Sequence, residues 1–191
     1  RQPPHKVPYR ANIWALKEIG VTEVYGISAV GSLKKAYGPD SVVLCDDFLD
    51  FTKTRPHTFY DGDHEAAKHI AMAAPYDSEL NDAFEAALGE KLPRGVYVAT
   101  EGPRFESRAE IKFYASIGGD MVGMTNVPEV VLAREMGLHY ANICHVINYC
   151  TGVEDTMVIS KSEEVRNKII RAVDEVFTSD RVPREARIDL L

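Results

Sequence analysis

Short apolar runs alternate with segments of helical period along this chain, and few folds accept that pattern. The runs predict strands at residues 23–28, 41–44, 95–100, 121–125 and 140–149. Helices are expected between them. The first spans residues 9–18, with Ile13, Trp14 and Leu16 apolar and Gly20 as stop. The second follows Asp77 and Ser78, carries Leu80, Phe84 and Leu88 on one face, and stops at Gly89. Ser107 and Glu110 form an S-x-x-E capping box for the third, which ends near Gly118. Val127, Pro128 and Glu129 open the fourth, with a proline and an acid where a first turn favours both. The last runs from about Ser162 to Phe177, with Val165, Ile169, Val173 and Val176 on one side. Strands alternating with helices mean an α/β class, with helices packed on a sheet. The longest irregular span, about residues 46–75, is expected to act as a lid or at an interface.

A chain of 191 residues with 45% apolar composition holds one sizeable core, so residues 1–191 are expected to form a single domain. The net charge of −7, with no dense Lys/Arg block, argues against nucleic acid and anionic membranes as partners. No apolar run approaches the roughly 20 residues that cross a bilayer. Residues 1–20 carry Arg1, Lys6, Arg10 and Lys17 without a signal-peptide core, which predicts a cytoplasmic protein. Cys45, Cys144 and Cys150 show no C-x-x-C spacing, so a metal site is not expected, and Cys144 and Cys150 read as packing residues. The chain opens at Arg1 in the Pro-rich "QPPHKVPYR", and something is expected to precede it.

In open α/β sheets ligands bind at the carboxyl ends of strands. Four such ends carry polar residues here: Ser28, 100–106, Thr125 and Asn148. "SAVGSL", residues 28–33, reads either as an anion site made by Ser28 and backbone N–H groups or as a plain turn. In "TEGPRFESRAE", Phe105 offers a flat face to a ring and Glu106 can accept N–H bonds from a heterocycle, while Arg104 reads as the partner of a nearby acid. Alternatively Phe105 is a core aromatic and Glu106 a solvated acid. Thr125 could touch a phosphate or merely cap a helix, and Met124 could pack on a sugar or fill the core. Asn148 ends an apolar strand and offers one donor and one acceptor. His145, inside that strand, reads as a buried, hydrogen-bonded histidine.

"YRANIWALKEIGVTEVYGISAVGSL", "RPHTFYDGDH", "ATEGPRFESRAE", "MTNVPEVVLAREMGLHYANI" and "NYCTGV", in that order, resemble the trimeric purine nucleoside phosphorylase and methylthioadenosine phosphorylase family. The resemblance covers about residues 4–153 and implies a three-layer α/β/α nucleoside-phosphorylase fold with a central mixed sheet. It also implies phosphorolysis of a purine nucleoside to free base and pentose 1-phosphate, in purine salvage, with inorganic phosphate as co-substrate and no other cofactor. Carried over, Ser28 and Ala29 match the phosphate- and sugar-contacting pair, Thr125 the phosphate-binding hydroxyl, Met124 the ribose-packing methionine and Phe105 the aromatic beside the base. His69 matches a histidine that reaches a neighbouring subunit's 5′-pocket, which implies a trimer, alone or paired into a hexamer.

In the same resemblance, 6-aminopurine enzymes carry Asp-x-Asp where this chain has Asn148-Tyr149-Cys150, and a small hydroxyl residue where it has Glu106. Asn148 and Glu106 therefore imply 6-oxopurine nucleosides: an amide can donate to O6, where a carboxylate would repel it, and Glu106 can accept from N1–H. The alternatives are a methylthioadenosine phosphorylase and a non-catalytic nucleoside-binding or assembly module. Two departures stand beside the resemblance. The family's N-terminal strand, Gly-rich phosphate turn and Arg–His pair lie upstream of Arg1, so the domain is expected to be N-terminally incomplete. "VISKS", residues 158–162, matches neither branch.

Overall fold

The computed structural model describes residues 2–63 and 66–188. After a 3₁₀ turn at Pro4–Lys6 come α1 (Tyr9–Glu18), β1 (Glu23–Ser32), β2 (Val42–Phe51), α2 (Ser78–Leu88), β3 (Arg94–Thr100), α3 (Arg108–Ser116), β4 (Met121–Gly123), α4 (Asn126–Glu135), β5 (His139–Tyr149) and α5 (Glu163–Thr178). Local chemistry sets the helix ends. Asp77 caps α2 by accepting from the Leu80 amide, and Gly89 closes it in the left-handed conformation at φ 75°. Ser107 and Glu110 make the reciprocal capping box of α3, and Ser162 caps α5 by accepting from the Val165 amide.

Two expectations about β1 and β2 are corrected. "SAVGSL" does not turn after Ser28, because β1 continues through Ser32: Gly31 and Ser32 pair with Val122 and Met121 of β4 and with Asn148 and Tyr149 of β5. The loop expected from residue 46 begins after Phe51, since residues 47–51 of β2 pair in register with residues 96–100 of β3. Both extensions are tertiary pairings that no local pattern announces.

The α/β class and the mixed central sheet are as expected, and the sheet closes on itself. Its strand order β1-β4-β3-β2-β5 forms a barrel, with β5 parallel to β1 along ten residue pairs and antiparallel to β2 through Val42–His145, Val43–Cys144 and Leu44–Ile143. Register shifts at Val30/Gly31 and Cys45/Asp47 supply the bends that closure needs.

Helices surround the barrel in three groups. α1 and α4 cover Tyr97, Met121 and Val146 with Ile13, Val130 and Leu132, while α2 and α5 bring Phe84, Ile169 and Ala172 onto Leu44 and Ile143. α3 lays Ile111 and Tyr114 on Leu33, Val98 and Val122. Removing a buried ring such as Phe84 would cost about 3–5 kcal/mol. Among the described residues no helix is long and apolar enough to cross a membrane.

Candidate active site

Four strand ends converge on one cavity of about 540 Å³. The pleat of β1 decides what that strand contributes: Ile27, Ala29 and Gly31 line the cavity together with the buried Val30, while Ser28 is buried and does not line it. The Ser28 hydroxyl donates to Asn142 Oδ1 at 3.0 Å inside the barrel, so Ala29 reaches the cavity and the Ser28 side chain does not. The remaining walls come from Phe105 and Glu106 after β3, Met124 and Thr125 after β4, and Asn148 at the end of β5. Gly31 is required by close approach: a Cβ there would lie 2.7 Å from Cys150 Sγ and 3.1 Å from Asn148 Nδ2.

The polar groups on these walls keep hydrogen-bonding capacity open. Glu106 is 8% exposed, and Thr100 Oγ1 donates to its Oε1 at 2.7 Å, leaving Oε2 without a protein donor among the described residues. Asn148 is 3% exposed and spends one N–H on the Tyr149 carbonyl at 2.8 Å, which leaves its second N–H and its carbonyl oxygen. Thr125 stands at the N-cap position of α4, yet its hydroxyl makes no capping bond. Its amide and that of Asn126 lie 3.3 and 3.5 Å from the Tyr97 hydroxyl, inside the fold. These helix-start amides therefore face inward, and the Thr125 hydroxyl is left without a capping bond. The helical backbone itself starts beyond Val127, whose φ/ψ of −106°/130° are extended.

Phe105 is half exposed on the rim, and Met124 lies deeper in the wall. Arg104 pairs with Glu110 through two bonds of 2.7 and 2.9 Å, as its place in the sequence suggests, and His145 is buried with Nε2 3.2 Å from Asp40 Oδ1. His69 is exposed and is not part of this wall. Sequence reasoning missed Cys150, Thr151 and Met157 as wall residues. Burial, with the Glu106 carboxylate beside it, pushes the Cys150 thiol up to about 12, so at neutral pH it is a neutral wall and not a thiolate nucleophile. Among the described residues no cluster of three or more His, Cys, Asp or Glu is arranged to hold a metal.

A closed mixed barrel ringed by helices thus brings a carboxylate, an amide and a hydroxyl to neighbouring strand ends around one cavity. The chain belongs to the Phosphorylase superfamily, whose family model matches residues 2–178. It is 47% identical over 178 residues to the Methanothermobacter thermautotrophicus protein named "Probable S-methyl-5'-thioinosine phosphorylase", covering 91% of this chain and 62% of that one. It is 44% identical to the 6-oxopurine nucleoside phosphorylase of Pyrococcus furiosus, covering 90% and 71% respectively. Among solved structures, methylthioadenosine phosphorylase from Schistosoma mansoni in complex with adenine superposes with a TM-score of 0.80 at 30% identity, over 93% of this chain and 74% of that one. The chain thus spans roughly two thirds of the length of such relatives.

Proposed function

We propose that this chain is the base- and sugar-binding part of a phosphorylase that cleaves 6-oxopurine nucleosides (inosine, guanosine or methylthioinosine) to the free base and pentose 1-phosphate, in purine salvage. The observation that carries the reading is the pair Glu106 and Asn148, both buried and both facing one cavity with unspent hydrogen-bonding groups. In the reaction a phosphate oxygen bonds to C1′ as the C1′–N9 bond breaks, and the bonding pair leaves with the purine. Asn148 stabilises the charge developing on the base at O6 and N7, and Glu106 accepts from N1–H, a donor that adenine-type bases lack. Thr125, with its hydroxyl free, contacts the phosphate; Met124 and Ala29 face the sugar, and Phe105 lies beside the base. Residues 1–191 then form one domain that works as a trimer, alone or paired, with His69 serving a neighbouring subunit's pocket.

The assay is release of free base from inosine, guanosine, methylthioinosine and methylthioadenosine, with and without phosphate, using the protein expressed from its whole gene. Phosphate-dependent release from the 6-oxo substrates is expected. Release from methylthioadenosine alone would mean that the base pocket has been misread.

A further inference from the structure

The loop between β2 and α2 sends one side chain into the space beneath the cavity. Arg55 is 4% exposed, and its guanidinium has no exposed side-chain surface at all. Nη1 donates to the carbonyl oxygens of Met124 and Val127, each at 2.7 Å, while Nη2 donates to those of Thr100 at 3.1 Å and Glu101 at 2.8 Å. One planar fork therefore holds the chain on both sides of Thr125 and the chain that leads to Phe105 and Glu106. A third segment joins through Tyr9: the guanidinium lies 5.5 Å from the centre of its ring, and the Tyr9 hydroxyl donates to the carbonyl of Pro4, a wall residue of the cavity.

The charge facing Arg55 comes from Glu101, whose Oε2 is 3.7 Å from Nε. That carboxylate is itself fixed by the Lys53 amide at 2.7 Å and the Thr54 hydroxyl at 2.6 Å. A buried guanidinium with five donors in a rigid fork suits four carbonyls drawn from two loops, and a lysine, with one point of charge, cannot reproduce it. Burying a cation so completely is costly unless its donors are met; carbonyl oxygens meet the Nη1 and Nη2 donors, while Nε makes no hydrogen bond and faces the Glu101 carboxylate.

We propose that Arg55 is a positioning residue that sets the spacing between the base-recognising loop (100–106) and the loop carrying Met124 and Thr125. The inference rests on the functional reading above. It gives a kinetic pattern that neither loop alone would produce. A residue within one loop alters the handling of one substrate, as Glu106→Gln should for the nucleoside and Thr125→Ala for phosphate. A residue that ties the loops together alters both.

The test measures KM for inosine, KM for phosphate and kcat for Arg55→Lys in the whole protein, beside wild type and the two single-loop variants, at a temperature where circular dichroism shows the folded state. Both KM values should rise together and kcat/KM should fall about 100-fold, the scale of an ångström-level misplacement. A variant with a lowered melting temperature but wild-type constants in its folded fraction would overturn the proposal, since Arg55 would then act in stability alone. If Arg55→Lys is not recovered folded, Glu101→Gln removes the facing charge from a more exposed position. A joint rise of the two KM values there supports the clamp, and a change in one or neither contradicts it. Wild-type protein without phosphorolysis would sink the functional reading itself, whereas active wild type with an unaltered Arg55→Lys sinks only the clamp.

Discussion

Two of the cavities, about 540 Å³ at the strand ends and about 600 Å³ beside α1, are similar in size and differ in what their polar groups are doing. Beside α1, Arg10 is taken up by Asp61 at 2.6 Å and by the Thr58 carbonyl, and Glu135 by the Thr58 hydroxyl and the Phe59 amide, both at 2.6 Å. Trp14 and Phe59 supply an aromatic wall, with ring centres 6.0 Å apart. At the strand ends, by contrast, Glu106, Thr125 and Asn148 each keep a group unspent. Volume and apolar lining do not separate the two cavities. Unsatisfied, converging polarity does, because groups aimed at a ligand cannot also be consumed by the fold.

The largest effect expected from breaking this contrast comes from Gly31→Ala. The added methyl meets Cys150 and the Asn148 amide and should displace the amide from the base, lowering kcat/KM for inosine by roughly 100-fold, as read in steady-state kinetics. Glu106→Gln should follow, with a loss on the order of 10- to 100-fold for inosine, the worth of a hydrogen bond to a charged group. Thr125→Ala should raise the KM for phosphate by about 10-fold and leave that for inosine nearly unchanged, since its hydroxyl is not needed as a cap. The smallest effect belongs to the other cavity. Trp14→Ala should change kcat/KM by less than about 2-fold, in keeping with a half-exposed side chain away from the strand ends. A larger loss would show that the two cavities are coupled.

Much of this was legible in the residues. Helix starts carry local chemistry, so Asp77, Ser107 and Ser162 marked α2, α3 and α5, and the structure places a capping bond at each. Glu106, Thr125 and Asn148 stood out because polar residues at strand ends are out of keeping with a core, and the structure brings them, with Met124, to one cavity wall. What stayed hidden depends on partners distant in sequence. Closure of the sheet requires β5 to pair with both β1 and β2, and the extension of β1 through Ser32 depends on β4, some ninety residues away. The same is true of side-chain direction within β1. Ser28 is the more reactive-looking member of Ser28–Ala29, yet the pleat turns it to Asn142 and gives Ala29 the cavity. Arg55 was hidden for a related reason: four of its acceptors are backbone carbonyls, which leave no mark in the sequence, and the fifth, the Tyr9 hydroxyl, lies 46 residues away.

The central claim is that the Asn148 amide reads a 6-oxopurine. It is tested most directly by the ratio of kcat/KM for inosine to that for adenosine, measured in wild type and in Asn148→Asp. The account predicts a ratio well above one in wild type and a fall of roughly 100-fold in the variant, because a carboxylate repels O6 and accepts from a 6-amino group. A ratio that is the same in both proteins would contradict it.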